Sequence, residues 1–222
     1  MVYLLYIDTS SAICTIALSC DTELVAYKTS TDTRNHASVI NIMINDVIAE
    51  SAISLASIHG IVVCAGPGSY TGLRIGLATA KGLCYVLDKP LFLHNKLTLL
   101  CWQQYYDKQE KYNCYAALLI AREKEFFVSA HDNNFKCIIP PQHIIENNLR
   151  NLLSVFKNKL IITDASNITL NSLIESEIQI DKNISISLSH WLVYALQQYN
   201  CNNSVNLSNS EPFYLKQVYT HK

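Results

Sequence analysis

Three of the chain's six glycines fall in one stretch, GPGSYTGLR, at Gly66, Gly68 and Gly72. The stretch follows an apolar run, IVVCA, and leads into a long apolar segment. A glycine turn between a strand and a helix exposes backbone N–H groups at the helix start, and such a place can hold an anion. Ser69 or Thr71 can cap the helix. The chemistry on offer is phosphate holding. The sharper phosphate motifs are absent, however. Walker A requires GxxxxGK[ST], and no lysine follows Gly72. The dinucleotide fingerprint requires GxGxxG, whereas these glycines are spaced GxGxxxG. No acidic residue ends the next strand, LFLHN. Taken alone, the loop reads as a tight turn without a ligand before it reads as a cradle.

The other reactive side chains are scattered. The eight cysteines are Cys14, Cys20, Cys64, Cys84, Cys101, Cys114, Cys137 and Cys201, with no CxxC and no zinc-type spacing. Most sit in apolar runs, as in ICTIAL and IVVCAG, and are expected to be buried reduced thiols. The histidines show no HxxxH or HExxH, so no helix face offers two imidazoles to a metal. His36 stands beside Asn35 at a helix start. Capping or solvent exposure is the plain reading, and a role at a partner interface is the sharper one.

Composition narrows the function classes. The chain has 222 residues, half of them hydrophobic, and a net charge of −1. It can bury a sizeable core, and it has no basic excess with which to release counterions from nucleic acid. Any RNA contact is therefore expected to come mainly through partners. The N-terminal apolar run stops at Asp8, too short for a signal sequence. The longest apolar segment carries Arg74 and Lys81, so no membrane span is expected and a cytoplasmic location is the default.

The elements that must position these residues follow from periodicity. Strands are expected at 3–8, 13–19 and 23–29, joined by short polar turns as an antiparallel meander. A helix at 36–51, a strand at 61–65, a helix at 71–87, a strand at 91–95 and a helix at 97–106 follow. The second half opens with a hairpin, 113–121 and 126–131, around REKE. A short strand at 136–139, helices at 142–156 and 168–176, a strand at 159–163 and a final helix at 190–199 complete it. Two βββα-type halves suggest a duplicated α/β architecture. The expected division is 1–106 and 107–222, with the last helix able to pack back on the first subdomain.

The two helices flanking the glycine loop are apolar on more than one side. Val39, Ile40, Met43 and Val47 cover much of the first. In the second, Gly72, Gly76 and Ala80 lie four apart and make a smooth face. A glycine inside a helix costs about 1 kcal/mol against alanine, so Gly76 and Gly82 suggest close packing. A helix apolar on several sides is either fully buried or shares a face with a partner. Two adjacent examples favour a protein interface, in which Gly76→Leu would block docking and leave the monomer folded.

DTSSAICTIAL, RNHASVI and IVVCAGPGSYTGLRIGLATAKGLCYVLDKPLFLHNKLTLL together resemble the TsaB (YeaZ) family. AREKEFFVSAHD and the terminal EPFYLK resemble two further family segments. The resemblance spans the chain and is dense over residues 4–100. It implies an ASKHA fold, the α/β class of actin-like ATPases and sugar kinases, with two duplicated βββαβα-type subdomains. It also implies a non-catalytic subunit that binds and stabilises TsaD, which carries the metal and the transferase chemistry. TsaE, an ATPase, joins through that complex. The complex moves threonylcarbamoyl from threonylcarbamoyl-AMP to the adenosine beside the anticodon in tRNAs reading ANN codons. The family pairs its two N-terminal helices with those of TsaD, and with a second copy in isolation. Here those helices are 36–51 and 71–87, so the interface is expected at His36, Val39, Ile40, Met43, Val47, Gly72, Arg74, Gly76 and Ala80.

An ASKHA kinase needs a phosphate loop in each half. The first reads DTSS here, at Asp8, Thr9, Ser10 and Ser11, so the aspartate and hydroxyls are present and the usual glycine is not. Asp8, Thr9, Ser10, Gly66, Gly68 and Ser69 are the residues of a vestigial nucleotide site, if one persists. Asp8 either orients a metal-bound water or caps a turn. No glycine follows Gly82, where the usual frequency of near 7% would give about ten. Asp164 stands between Thr163 and Ala165 where relatives carry a glycine turn, and without glycine the backbone does not easily approach a phosphate. Independent ATP hydrolysis is not expected. ATP or ADP and metal are expected on partner subunits, with no cofactor of this chain's own. Arg122 is either a hairpin-turn residue or a partner contact. The competing readings are a small-molecule phosphotransferase of the same fold and a stand-alone homodimeric interaction protein. A protease is disfavoured, because neither a Ser/His/Asp set nor a zinc pair is recognisable.

Overall fold

The structure is a computed structural model that describes residues 1–32, 35–108, 111–154, 156–166 and 178–214. The chain divides into two compact units. The first comprises Met1–Asn95 and Leu188–Phe213, the second Lys96–Ser187 and Tyr214–Lys222.

In the first unit, β1 (Tyr3–Asp8), β2 (Cys14–Cys20) and β3 (Glu23–Ser30) form an antiparallel meander. β4 (Gly60–Cys64) and β5 (Leu91–His94) extend it in parallel, giving the order β3-β2-β1-β4-β5. The central strands are apolar on both faces because both faces are covered. Leu5 and Ile7 of β1 join Ile61 and Val63 of β4 against α1 (His36–Ser51) and α2 (Tyr70–Leu87). Tyr6 points the other way, its ring edge-on to Trp191 of the final helix, α5 (Leu188–Asn200), at 5.3 Å. That alternation along β1 is the period of two that a strand imposes.

The second unit repeats the plan. β6 (Cys114–Arg122), β7 (Glu125–Asp132) and β8 (Cys137–Ile145) are antiparallel. β9 (Lys159–Thr163) and β10 (Ile178–Asp181) run parallel to β6, in the order β10-β9-β6-β7-β8. α3 (Lys96–Asp107) lays Leu97, Leu100 and Cys101 against Tyr115, Ala117 and Leu119. On the other face, Leu149 and Leu153 of α4 (Glu146–Ser154) pack with Leu118, Val128 and Ile161. Two sheets of like strand order form a duplicated α/β arrangement.

Several sequence expectations change. The chain divides after Asn95 and not at 106/107, because the apolar stripe of α3 is buried on β6. α5 groups with the first unit, the side on which the sequence allows it to pack. The short strand expected at 136–139 runs on to Ile145 and displaces the start of the next helix to Glu146. Pro140 and Pro141 are accommodated because β8 is the edge of its sheet. β10 has no counterpart among the expected elements. The helix expected at 168–176 lies outside the described residues.

Candidate functional site

The glycine loop and the DTSS turn close on one another. Ser69 caps α2, its Oγ accepting from the Gly72 N–H at 3.2 Å. The Ser69 N–H donates to the Ser10 carbonyl at 2.8 Å. Thr9 Oγ1 donates to the Gly72 carbonyl at 2.7 Å. Asp8 closes its own turn, Oδ1 accepting from the Ser10 N–H at 2.8 Å. Cys64 Sγ reaches Ser10 Oγ at 3.5 Å. Asp8, Thr9, Ser10, Gly66, Gly68 and Ser69 are thus brought together as the sequence suggests. The Ser10, Ser69 and Gly72 N–H groups, the Thr9 hydroxyl and the Asp8 carboxylate thus have partners within the chain.

The glycine spacing has the same origin. A Cβ on Gly68 would stand 2.1 Å from the Ser10 carbonyl oxygen, and one on Gly72 would stand 2.0 Å from that of Thr9. A Cβ on Gly76 would lie 2.3 Å from Thr9 Oγ1. Gly66 adopts φ +109°, which a side chain disfavours. The loop is cut to the shape of the Thr9–Ser10 backbone.

This geometry relocates the helix face proposed for a partner. Gly72, Gly76 and Ala80 are buried on the chain's own β1 and core, so the smooth stripe faces inward. Ile40, Met43 and Val47 are likewise buried in the core. His36 is only 5% exposed, with Nε2 3.4 Å from the Ala12 carbonyl, so it is neither a solvent-facing cap nor a surface contact. Of the expected interface residues, Val39 is half-buried and Arg74 is exposed, its guanidinium 4.1 Å above the Tyr70 ring.

The outward stripe of α2 is a different set: Thr71, Arg74, Ala78, Gly82 and Tyr85. Gly82 has nothing within 4 Å of where its Cβ would be, so it carries the helix cost of glycine without packing against its own chain. Tyr85 and Val86 are 79% exposed, and Ile42 on α1 is 61% exposed. The signal for this phase was present in Thr71 and Arg74, the polar residues that mark the outer side at helical spacing.

Other titratable groups are structural. Trp191 Nε1 donates to His94 Nδ1 at 2.9 Å, and burial pushes the His94 imidazole down to about 3. Burial lowers His131, stacked on Phe135 at 4.3 Å, to about 4. Burial raises the Cys84 thiol to about 12. Cys14, Cys64, Cys84, Cys101 and Cys114 are buried as expected, whereas Cys137 and Cys201 are exposed and Cys20 is partly so. Asp164 Oδ1 accepts from the Ile120 N–H at 2.8 Å, so it ties β9 to β6. Arg122 pairs with Glu125 across the β6–β7 hairpin register. Among the described residues no group of three or more His, Cys, Asp or Glu could hold a metal, and no helix is long and apolar enough to cross a membrane.

Residues 24–187 match the family model described as TsaD, tRNA N6-adenosine threonylcarbamoyltransferase. The chain is 32% identical over 126 residues to the tRNA threonylcarbamoyladenosine biosynthesis protein TsaB of Haemophilus influenzae, covering 57% of this chain and 52% of that one. It is 35% identical over 88 residues to the Escherichia coli protein of the same name, covering 40% of this chain and 38% of that one. The alignments thus span about half, or less, of these curated relatives. Among solved structures, YeaZ from Pseudomonas aeruginosa superposes with a TM-score of 0.78 at 19% identity, over 97% of this chain and 100% of that one. That likeness extends to the fold.

Proposed function

The chain belongs to the TsaD family of tRNA N6-adenosine threonylcarbamoyltransferases, and from that premise we propose that it is a non-catalytic subunit of the tRNA threonylcarbamoyladenosine machinery, whose task is to bind and stabilise TsaD. TsaB-named relatives at about a third identity support the pathway. The observation that carries the scaffold reading is the outer stripe of α2. An unpacked glycine, Gly82, lies between Ala78 and a fully presented Tyr85. Small residues on an exposed helix let a second helix approach at backbone distance, and the neighbouring tyrosine supplies a large contact surface.

In this reading the chain contributes no reacting group. The DTSS turn and the glycine loop act as a lock that fixes α2 on β1, so that the outer stripe is presented rigidly. TsaD brings the metal and the transferase chemistry, nucleotide is held by the partner subunits, and tRNA is contacted mainly through them. TsaE joins through the assembled pair. In isolation the same stripe pairs with a second copy. Such a complex works in the cytoplasm, where its tRNA substrate is found.

The test is co-purification with the cognate TsaD and TsaE, with and without ATP, followed by reconstituted modification of tRNA. Formation of a heterocomplex that modification depends on is the expected result. Modification that proceeds equally well without this chain would overturn the reading.

A further inference from the structure

Residues 205–213 return from α5 as a strap across the first unit. The Val205 N–H donates to the Leu91 carbonyl at 2.9 Å, so the strap pairs with the outer edge of β5. Leu207 packs on the unit's core. Lys81 Nζ of α2 then donates to the carbonyls of Ser208 at 3.4 Å and Ser210 at 3.1 Å. Ser210 and Pro212 are buried, and the Phe213 N–H donates to the Ala65 carbonyl at 2.9 Å, one residue before the glycine loop. The strap is therefore attached at three places: the sheet edge, the middle of α2 and the root of the loop.

Lys81 is three residues after Ala78 and four before Tyr85, so on a helix it borders both. The strap segment it holds, with Ser208 and Asn209 exposed, consequently runs along one flank of the stripe assigned above to docking. We propose that the strap forms one rim of that docking surface and that its closure sets affinity for the partner. The inference rests on the reading of α2 as the TsaD-binding helix. The occupant is then a protein helix lying on Ala78 and Gly82, with Tyr85 and the strap together on one flank. The continuity of Lys81 with the stripe is what argues for that occupant. A closed strap lowers the ordering cost of association, because the rim is already in place.

The experiment uses the full chain, a Lys81→Met variant, which keeps the apolar stem and loses the ammonium, and a Val205→Pro variant, which loses the N–H bonded to Leu91. Hydrogen exchange reads the Phe213 amide in all three proteins, and titration with the cognate TsaD reads affinity. In either variant the Phe213 amide is expected to exchange at least tenfold faster while the β1 and β4 amides keep their protection. Affinity for TsaD is expected to fall at least fivefold. A freed strap with unchanged affinity overturns the inference, as does a strap amide that both substitutions leave protected. Failure of the unaltered chain to bind TsaD overturns the docking reading itself, and so is distinguishable. If one variant loses the β1 and β4 protection as well, the other decides.

Discussion

The hydroxyl of Thr9 donates to the carbonyl of Gly72 at 2.7 Å, across 63 positions of sequence. The bond is buried and joins the end of β1 to the first turn of α2. Its partner contacts are equally close, since a Cβ on Gly72 would meet the Thr9 carbonyl oxygen at 2.0 Å. Thr9→Val, which removes the donor and keeps the branched shape, is expected to cost about 1 kcal/mol. Denaturant unfolding with the slope unchanged checks it. No loss would mean that the hydroxyl does not help to hold α2.

The glycines of α2 divide into two kinds. At Gly72 and Gly76 a methyl group meets the Thr9 carbonyl or the Thr9 side chain, so alanine is expected to cost about 3 kcal/mol, the upper end for overpacking. At Gly82 the space is open and φ is ordinary for a helix, so alanine is expected to stabilise by about 0.5–1 kcal/mol. Opposite signs within one helix, read by thermal or urea unfolding, are the check. If Gly76→Leu gives a folded monomer, the inward assignment of that stripe is wrong.

Much of the fold is legible in the residues. The β1 alternation, the apolar β4 and the 3.6 period of α1 and α2 are local patterns, and each fixes an element. The self-contact between the DTSS turn and the glycine loop is not local. Nothing in GPGSYTGLR says whether its amides meet a phosphate or Ser10, because the answer lies in the turn after β1, far away in sequence. The α2 stripe failed for a related reason. Glycine at Gly72 and Gly76 reports close approach without saying to what, and here the neighbour is the chain's own Thr9. β8 ran past Pro140 and Pro141 because an edge strand need not donate at every residue. β10 is short and polar at Gln179 and Asp181, and a parallel partner, β9, holds it in the sheet.

Two buried histidines make stability depend on acid. Burial holds His94 at about 3 and His131 at about 4 in the folded protein, against an ordinary value of 6.5. The folded values are depressed, so the unfolded chain binds the protons first as pH falls. Stability is complete above about 6.5 and declines as pH drops toward 4 and then 3. Each group contributes a slope of about 1.4 kcal/mol per pH unit inside its window. His131→Phe, which keeps the stack on Phe135, is expected to flatten the curve by that amount between about pH 6 and 4. Urea midpoints across that range measure it, and an unaltered slope would show that His131 takes up a proton while folded.

Thiol labelling tests the burial pattern directly. Cys137 and Cys201 are exposed, and Cys20 is partly so. Cys84 and Cys114 are pushed to about 12 and Cys14 to about 11, chiefly by burial. The thiolate is the reactive form, so these buried groups are doubly protected. In the native protein two thiols are expected to react quickly with an aromatic disulfide and a third slowly, with the remainder reacting only after unfolding. Mass spectrometry of the labelled peptides identifies them. Rapid native labelling of Cys84 would show that α2 lifts from the sheet.

The proposed docking surface gives the most direct functional test. Gly82→Leu places a branched side chain where the free chain has open space, so the monomer is expected to keep its fold and unfolding midpoint within about 1 kcal/mol. Against a partner helix at backbone distance the same side chain forces the surfaces apart. Affinity for the cognate TsaD is expected to fall at least tenfold, about 1.4 kcal/mol. Tyr85→Glu is expected to act similarly, because it replaces a large ring with a charge that must be desolvated on docking. Size exclusion of the isolated chain reads the second consequence: both variants are expected to shift a self-associating protein toward monomer. A Gly82→Leu variant that binds TsaD as tightly as the unaltered chain would move the interface off α2 altogether.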